Sequence, residues 1–145
     1  MLIGVCSVDA KFRAQLVGLL VGGGHQTVEL VANGNPAGLA ALRKSKPHLL
    51  VVAGTAAEGA SDFIRALRAQ PDMRLLPVLC VDPKAGSGET VALLDAGADD
   101  AITRPFQPPI FLARVRTLLR RVVWAGDAPE ETVTVITGGP IELKL

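Results

Sequence analysis

Three carboxylates lie where apolar segments of the chain give way to polar ones. Asp9 and Glu58 follow apolar runs, and Asp82 closes another. Carboxylate oxygens gathered at one site can bind Mg²⁺, which prefers hard oxygen ligands. No metal-binding motif joins these three residues, and acidic groups without such a motif are usually structural. We therefore predict a helix cap for Asp9, a solvated loop position for Glu58 and an ion pair for Asp82, and no bound metal. A metal site built from all three is the alternative.

Histidine and cysteine side chains offer little further chemistry. His25 and His48 are far apart and lack the spacing of metal ligands, so both are predicted to be structural. Cys6 and Cys80 each lie inside an apolar run, which is typical of buried free thiols. A disulfide or a redox pair is the alternative for the two cysteines.

Predicted strands and predicted helices alternate along the chain and must position these residues. Strands are predicted from short apolar runs at 2–8, 26–32, 48–53, 76–82 and 100–104. Helices are predicted from helical spacing at 9–20, 35–46, 60–69, 88–96 and 108–123. Such strand–helix units with continuous apolar strands predict an α/β fold, a doubly wound five-stranded parallel sheet with helices on both faces. The working site of such a fold lies at the carboxyl ends of the strands.

The character of the chain changes after the last predicted helix. Residues 124–131 are polar, contain Gly and Pro, and predict a linker. Within 132–145 two alternating segments flank Thr-Gly-Gly-Pro, which predicts a C-terminal β-hairpin. Because a two-stranded hairpin is marginal alone, we expect it to pack on something further.

Composition excludes several classes of protein. The chain has 145 residues, of which 49% are hydrophobic and 20% charged, which is typical of one folded domain with a short appendage. Apolar stretches stay below the length of a membrane span, so we expect a cytoplasmic protein without membrane contact. A net charge of +1 and an aromatic content of 3% give no electrostatic or stacking basis for nucleic-acid binding by this segment alone.

The segment LLDAGADDAITRPFQPPIFLARVRTLLRR, residues 93–121, closely resembles the stretch from the fourth to the fifth helix of OmpR/PhoB-type response regulators. The resemblance to a receiver domain covers 2–121 and is strongest over 47–121. It implies a flavodoxin- or CheY-like (βα)5 domain over 1–123. The C-terminal VTVITGGPIELKL resembles the opening hairpin of that subfamily's winged-helix DNA-binding domain.

The resemblance also implies where phosphoryl chemistry should occur. A receiver accepts phosphate on an aspartate after its third strand and holds Mg²⁺ with an acidic pair after its first. Here these positions fall on Ala53 and on Ser7 and Val8. The hydroxyl position after the fourth strand is Asp82, and the lysine position after the fifth is Arg104. Since Ala53 has no nucleophile and the acidic pair is lost, we expect a pseudo-receiver with no catalytic residue and no cofactor.

Two local features are expected at this degenerate pocket. The fourth and fifth strands should be neighbours, so that Arg104 pairs with Asp82 and fills the volume of Mg²⁺ and phosphate. The resemblance also implies a cis peptide bond between Arg104 and Pro105.

The subfamily dimerises, after phosphorylation, through the face made by the fourth helix, fifth strand and fifth helix. The charged residues of that pattern that remain here are Asp99, Asp100, Arg114, Arg120 and Arg121. A further ion pair of the pattern falls on Ala92 and Ile110, so an apolar contact replaces it, and Phe111 is adjacent in sequence. We therefore predict a constitutive homodimer through this face. The alternative is that Ile110 is one isolated apolar residue on the surface.

The leading functional hypothesis is the regulatory and dimerisation half of a phosphorylation-independent transcription factor, whose DNA-reading domain lies mostly beyond Leu145. The second is a pseudo-receiver that docks a protein partner, or that serves as the input domain of another effector such as a nucleotide cyclase. The third is an enzyme or small-molecule sensor using the crevice at the strand ends, which would require an open polar pocket. The residues after Leu145 distinguish the first two.

Overall fold

Strands and helices alternate along the whole described part of the chain. The structure, a computed structural model, describes residues 1–7, 9–30, 36–53, 59–82 and 89–121, with the backbone alone at 36, 37, 82 and 89. The strands are β1 (Leu2–Ser7), β2 (Gln26–Glu29), β3 (Leu49–Ala53), β4 (Val78–Asp82) and β5 (Asp100–Thr103). The helices are α1 (Ala10–Gly22), α2 (Pro36–Ser45), α3 (Ala60–Arg68), α4 (Glu89–Ala96) and α5 (Pro108–Leu118). The predicted linker 124–131 and hairpin 132–145 lie outside the described residues.

The five strands form one parallel sheet in the order β2-β1-β3-β4-β5, which confirms the predicted doubly wound fold. Every residue of the central strand β3 is buried. Leu50 and Val52 project into the core beneath α2, α3 and α4, whereas Leu49 and Val51 project into the core beneath α1 and α5. Helices therefore cover both faces, as the continuous apolar run of β3 requires.

The start of α1 shows how the sequence fixes a helix end. The Asp9 carboxylate accepts hydrogen bonds from the backbone N–H groups of Lys11 at 3.0 Å and Phe12 at 3.1 Å. This confirms the predicted cap, since a side-chain oxygen here satisfies donors that lack a partner within the helix. The helix ends at Gly22, and Gly24 follows with φ of +91°, a conformation that glycine adopts without strain.

Two elements end three or more residues before their predicted ends. Strand β2 ends at Glu29 rather than residue 32, and α5 ends at Leu118 rather than residue 123. Just beyond α5, Arg121 donates to the carbonyl oxygen of Leu75 at 2.8 Å and pairs with Asp99 at 3.0 Å. The end of the helix thus coincides with contacts that hold the chain against the neighbouring elements.

Candidate functional site

The predicted pocket positions converge at the carboxyl edge of the sheet. Ser7 and Ala53 are the last residues of β1 and β3 and are direct partners in the parallel pairing of these strands. Asp82 ends β4, whose neighbour β5 leads directly into Arg104. Val8 and the side chain of Asp82 lie outside the described residues. The backbone thus brings the described positions together at one edge of the sheet.

Polar contacts hold the end of β1. The Ser7 hydroxyl accepts a hydrogen bond from the backbone N–H of Asp9 at 3.2 Å. Arg13 donates to the Ser7 carbonyl oxygen at 2.7 Å, and its Nε lies 2.8 Å from a carboxylate oxygen of Glu29. These contacts fasten α1 and β2 to the strand end, where the side chain is a hydroxyl instead of a carboxylate.

The described residues at this edge do not fit the Mg²⁺ ion that the fold family implies; Val8, Glu58 and the side chain of Asp82 lie outside them. Magnesium is held in proteins through carboxylates at near-ideal octahedral geometry. Ala53 contributes a methyl group, the Ser7 hydroxyl is already hydrogen-bonded, and the Asp9 carboxylate caps α1. Across the residues that the structure describes, no group of three His, Cys, Asp or Glu side chains is placed to hold a metal ion.

Arg104 lies over an aromatic ring. Its guanidinium carbon is 3.8 Å from the centroid of the Phe12 ring, a cation–π contact. Phe12 meets Phe106 edge to face, with 6.5 Å between the ring centroids. The Arg104–Pro105 peptide bond is cis, which confirms that expectation. The pairing of Arg104 with Asp82 stays a prediction, because the side chain of Asp82 is not described.

The predicted dimer face combines an exposed apolar side chain with an ion pair. Ile110 is 47% exposed, and Ala92 is half-buried on α4. Arg114 Nη1 lies 2.9 Å from Asp100 Oδ2 of the same chain, and Arg120 is exposed. A shallow groove of about 420 Å³ runs along this surface. It is lined by Asp100, Pro109, Ile110, Ala113, Arg114 and Thr117.

The prediction that Phe111 contributes to this face is wrong. Its side chain is 0% exposed in the core beneath α1 and α5, and its ring centroid is 5.4 Å from that of Phe106. Phe111 and Val115 form the buried stripe of α5, while Ile110 and Arg114 share the exposed side. One residue along a helix turns the side chain by about 100°, so neighbours in sequence need not share a face.

Asp99 belongs to a network within the chain that sequence reasoning missed. Its Oδ2 accepts hydrogen bonds from Arg68 at 2.7 Å and from the backbone N–H of Val78 at 2.8 Å. Its Oδ1 lies 3.0 Å from Arg121. The two acid–base contacts therefore already engage both carboxylate oxygens. Asp99 and Arg121 can pair across a dimer only in competition with this network.

Arg68 is the centre of that network. Besides Asp99, its guanidinium donates to four backbone carbonyl oxygens. They belong to Met73, Arg74, Leu76 and Gly97. Burial lowers the pKa of Arg68, and the Asp99 charge opposes that shift. No local signal in the sequence indicates this contact, since the partners lie 31 residues apart.

The remaining candidates have structural roles. Cys6 and Cys80 are buried thiols that form no disulfide, as predicted, and burial raises the pKa of Cys6 to about 12. His48 Nδ1 accepts a hydrogen bond from the backbone N–H of Leu2 at 3.0 Å, which fixes the start of β1.

In the described ranges every helix is too short or too polar to cross a membrane.

Proteins similar to this chain include response regulators and a receiver domain. The DNA-binding response regulator MtrA of Mycolicibacterium paratuberculosis is 33% identical over 131 residues, which is 88% of this chain and 53% of MtrA. The phosphate regulon transcriptional regulatory protein PhoB of Rhizobium meliloti is 35% identical over 82 residues, which is 57% of this chain and 34% of PhoB. The signal receiver domain of a signal transduction histidine kinase from Syntrophus aciditrophicus has a TM-score of 0.71 and 27% identity, covering 92% of this chain and 97% of that domain. No protein-family model matches the chain.

Fold and relatives define the same class. The chain contains a receiver domain of the kind found in OmpR/PhoB-type response regulators. It spans 34% of the length of PhoB and 53% of the length of MtrA. The match to MtrA covers 88% of the chain and therefore continues beyond Arg121, the last residue described.

Proposed function

We propose that this receiver is the phosphorylation-independent regulatory and dimerisation domain of a transcription regulator of the OmpR/PhoB type. The observation that carries the proposal is Ala53 at the end of β3, the position where the family resemblance implies a phosphoacceptor aspartate. A methyl group cannot form an acyl phosphate. Ser7, its partner on β1, offers a hydrogen-bonded hydroxyl where the resemblance implies a metal-binding carboxylate.

The fixed end of β1 supports regulation without phosphate. Arg13 ties the Ser7 carbonyl oxygen to α1, and Glu29 holds Arg13 in place from β2. These contacts need no phosphoryl group to form. A domain held in one arrangement in this way would regulate through its amount, its binding partners or its oligomeric state. It would not regulate through phosphorylation.

Self-association through α4, β5 and α5 gives such a domain a role in DNA binding. Ile110 offers exposed apolar area on this face, and burial of apolar area contributes about 25 cal/mol per Å² without a charge trigger. The Asp100–Arg114 pair beside it can exchange partners across a two-fold axis, since both groups are partly exposed. A symmetric dimer matches paired DNA half-sites. We place the DNA contacts themselves in a domain largely beyond this chain, because MtrA, which is named a DNA-binding response regulator, is matched over only 53% of its length.

Treatment with a small phosphodonor tests the chemical half of the proposal. Incubation with acetyl phosphate or phosphoramidate and Mg²⁺ should leave the intact mass unchanged, because Ala53 has no carboxylate. A receiver that carries the phosphoacceptor aspartate is treated in parallel, to show that the phosphodonor is active. A stoichiometric, hydroxylamine-labile phosphate adduct on this chain would refute phosphorylation independence.

Sedimentation tests the assembly half. The unmodified chain should sediment as a dimer at concentrations on the order of tens of micromolar, and Ile110→Glu should shift it toward monomer. Val21→Glu is the matched control, since Val21 is an exposed apolar residue, 55% exposed, on α1. A wild-type monomer throughout this range contradicts dimerisation. Equal effects of the two glutamate variants contradict the assigned face.

A receiver joined to another effector, or docking a protein partner, is the second candidate. The similar domain from Syntrophus aciditrophicus belongs to a histidine kinase, so this fold is not confined to transcription factors. Sequence-specific DNA binding by the protein with all residues after Leu145 supports the first candidate. A cyclase or other effector at that position supports the second.

A further inference from the structure

A second concave site lies between α1 and the loop that joins β5 to α5. It is a groove of about 450 Å³, within the range of about 300–1,000 Å³ found for small-molecule sites. Its lining residues are Phe12, Gln15, Gly18, Leu19, Arg104, Pro105, Phe106 and Pro108. Only two of these side chains, Gln15 and Arg104, are polar. The proposed dimer face lies elsewhere, on α4, β5 and the exposed side of α5.

The groove stays open because α1 carries a glycine at its wall. A Cβ atom built on Gly18 meets nothing within 4 Å, so the helix leaves free space there. Leu19 and Phe106 are half-buried beside this gap, and Phe12 is 6% exposed. Apolar side chains thus remain partly accessible in a concave site, which is the usual character of a ligand pocket.

Arg104 supplies the one charge of the groove. Its guanidinium lies on the Phe12 ring, with Cζ 3.8 Å from the ring centroid. Within the described part of the chain, no hydrogen bond or ion pair involves this guanidinium, in contrast to Arg13, Arg68 and Arg114. The predicted pairing with Asp82, whose side chain is not described, would compete with a ligand for it. Stacking uses the face of the guanidinium, while its N–H groups point outward in the plane. The contact with Phe12 therefore orients a cationic donor before any ligand arrives.

We propose that this groove binds a small apolar, aromatic molecule that carries one carboxylate or sulfonate group. The guanidinium fork can bind two oxygens of a carboxylate or a sulfonate bidentately. The apolar body of the ligand would lie against Leu19, Phe106 and Pro108 in the space left by Gly18. The proposal goes beyond the regulatory role above, because it holds whether or not Ala53 prevents phosphorylation.

Two fluorescent probes that differ by one charge test the proposal on the full chain. Anilinonaphthalene sulfonate is an aromatic anion, and N-phenyl-1-naphthylamine is its uncharged counterpart. We expect saturable 1:1 binding of the sulfonate, with amide NMR shifts confined to α1 and the β5–α5 loop. Arg104→Gln should weaken sulfonate binding by about tenfold or more, the effect of one lost charged hydrogen bond, and leave the uncharged probe unaffected.

Two glycine variants of α1 provide the steric test. Gly18→Leu should abolish binding of both probes by filling the groove. Gly22→Leu is the matched control, since Gly22 also has open space around a built Cβ but does not line the groove. Leucine has a higher helix propensity than glycine, so both variants should retain a cooperative melt. Binding that survives Gly18→Leu, an equal loss in both glycine variants, or equal affinity of Arg104→Gln for the sulfonate would overturn the proposal.

Discussion

Replacing Arg68 with alanine should destabilise the receiver by about 3 kcal/mol. Arg68 donates to the Asp99 carboxylate at 2.7 Å and to the carbonyl oxygens of Gly97, Arg74 and Leu76 at 2.9, 2.9 and 2.6 Å. Hydrogen bonds to charged groups contribute about 1.5–3 kcal/mol each, but bonds that share one guanidinium do not add. Removing one partner of a buried pair costs about 3–5 kcal/mol. The Arg68–Asp99 pair is only partly buried, with side-chain exposures of 17% and 19%, so we expect the loss of stability not to exceed about 3 kcal/mol.

Urea unfolding followed by circular dichroism measures the loss. With a slope of about 1.5 kcal/mol per M, the midpoint of the Arg68→Ala variant should fall by about 2 M. Arg65→Ala is the matched control, because Arg65 is one turn earlier on α3 and pairs with Asp62 at 3.4 Å. These two side chains are 59% and 87% exposed, so their pair should contribute less than about 1 kcal/mol.

A conservative substitution separates charge from geometry at the same position. Lysine keeps the positive charge of Arg68 but lacks the fork that reaches Asp99 and several carbonyl oxygens at once. Arg68→Lys should therefore lose most of the stability that Arg68→Ala loses. The reasoning is refuted if Arg68→Ala lowers the midpoint no more than Arg65→Ala does. Full retention of stability by Arg68→Lys would refute the geometric part.

Three further outcomes follow from the structure. Gly97→Ala should destabilise the fold in the same urea assay, because Gly97 has φ of +124° and an added Cβ would lie 2.8 Å from Cγ of Arg68. The Cys6 thiol, with its pKa raised to about 12, should resist alkylation at about pH 8 until urea unfolds the chain, and mass spectrometry of its peptide measures this. The hydrogen bond from Arg43 lowers the pKa of Asp72 in the folded state. The contribution of this pair to folding stability is therefore present above pH 3.8, the ordinary pKa, and is lost as the pH falls through the lowered pKa of the folded state. In a series of urea unfolding midpoints measured at different pH, Asp72→Asn should reduce the loss of stability at acidic pH.

Features that depend on local sequence were predictable. The apolar run of β3 identified a strand buried on both faces, and Asp9 before a helical pattern identified the cap of α1. Ala53 and Ser7 could be placed together because the carboxyl ends of parallel strands share one edge of the sheet. The exact ends of β2 and α5 were not predictable, since residues beyond the elements help to fix them.

One side-chain direction was predicted wrongly, and contacts with distant partners were not predictable. Phe111 was assigned to the surface from its adjacency to Ile110, although its four-residue spacing with Val115 indicates the buried stripe of α5. The contact of Arg68, at the end of α3, with Asp99, just before β5, joins residues 31 apart in the chain, and no periodicity encodes such a pair. Side chains of this length have many rotamers, and only the packed environment selects one.

The lengths of the outermost strands bear on how the protein behaves when it is concentrated. An edge strand exposes backbone N–H and C=O groups on which another chain can add a strand and start an aggregate. Here both edges, β2 and β5, have four residues, whereas the three interior strands have five or six. Each edge also carries an acid in an ion pair, Glu29 with Arg13 and Asp100 with Arg114. Short, charged edges disfavour sheet extension, so copies of this receiver can associate through helical surfaces without polymerising through their backbones.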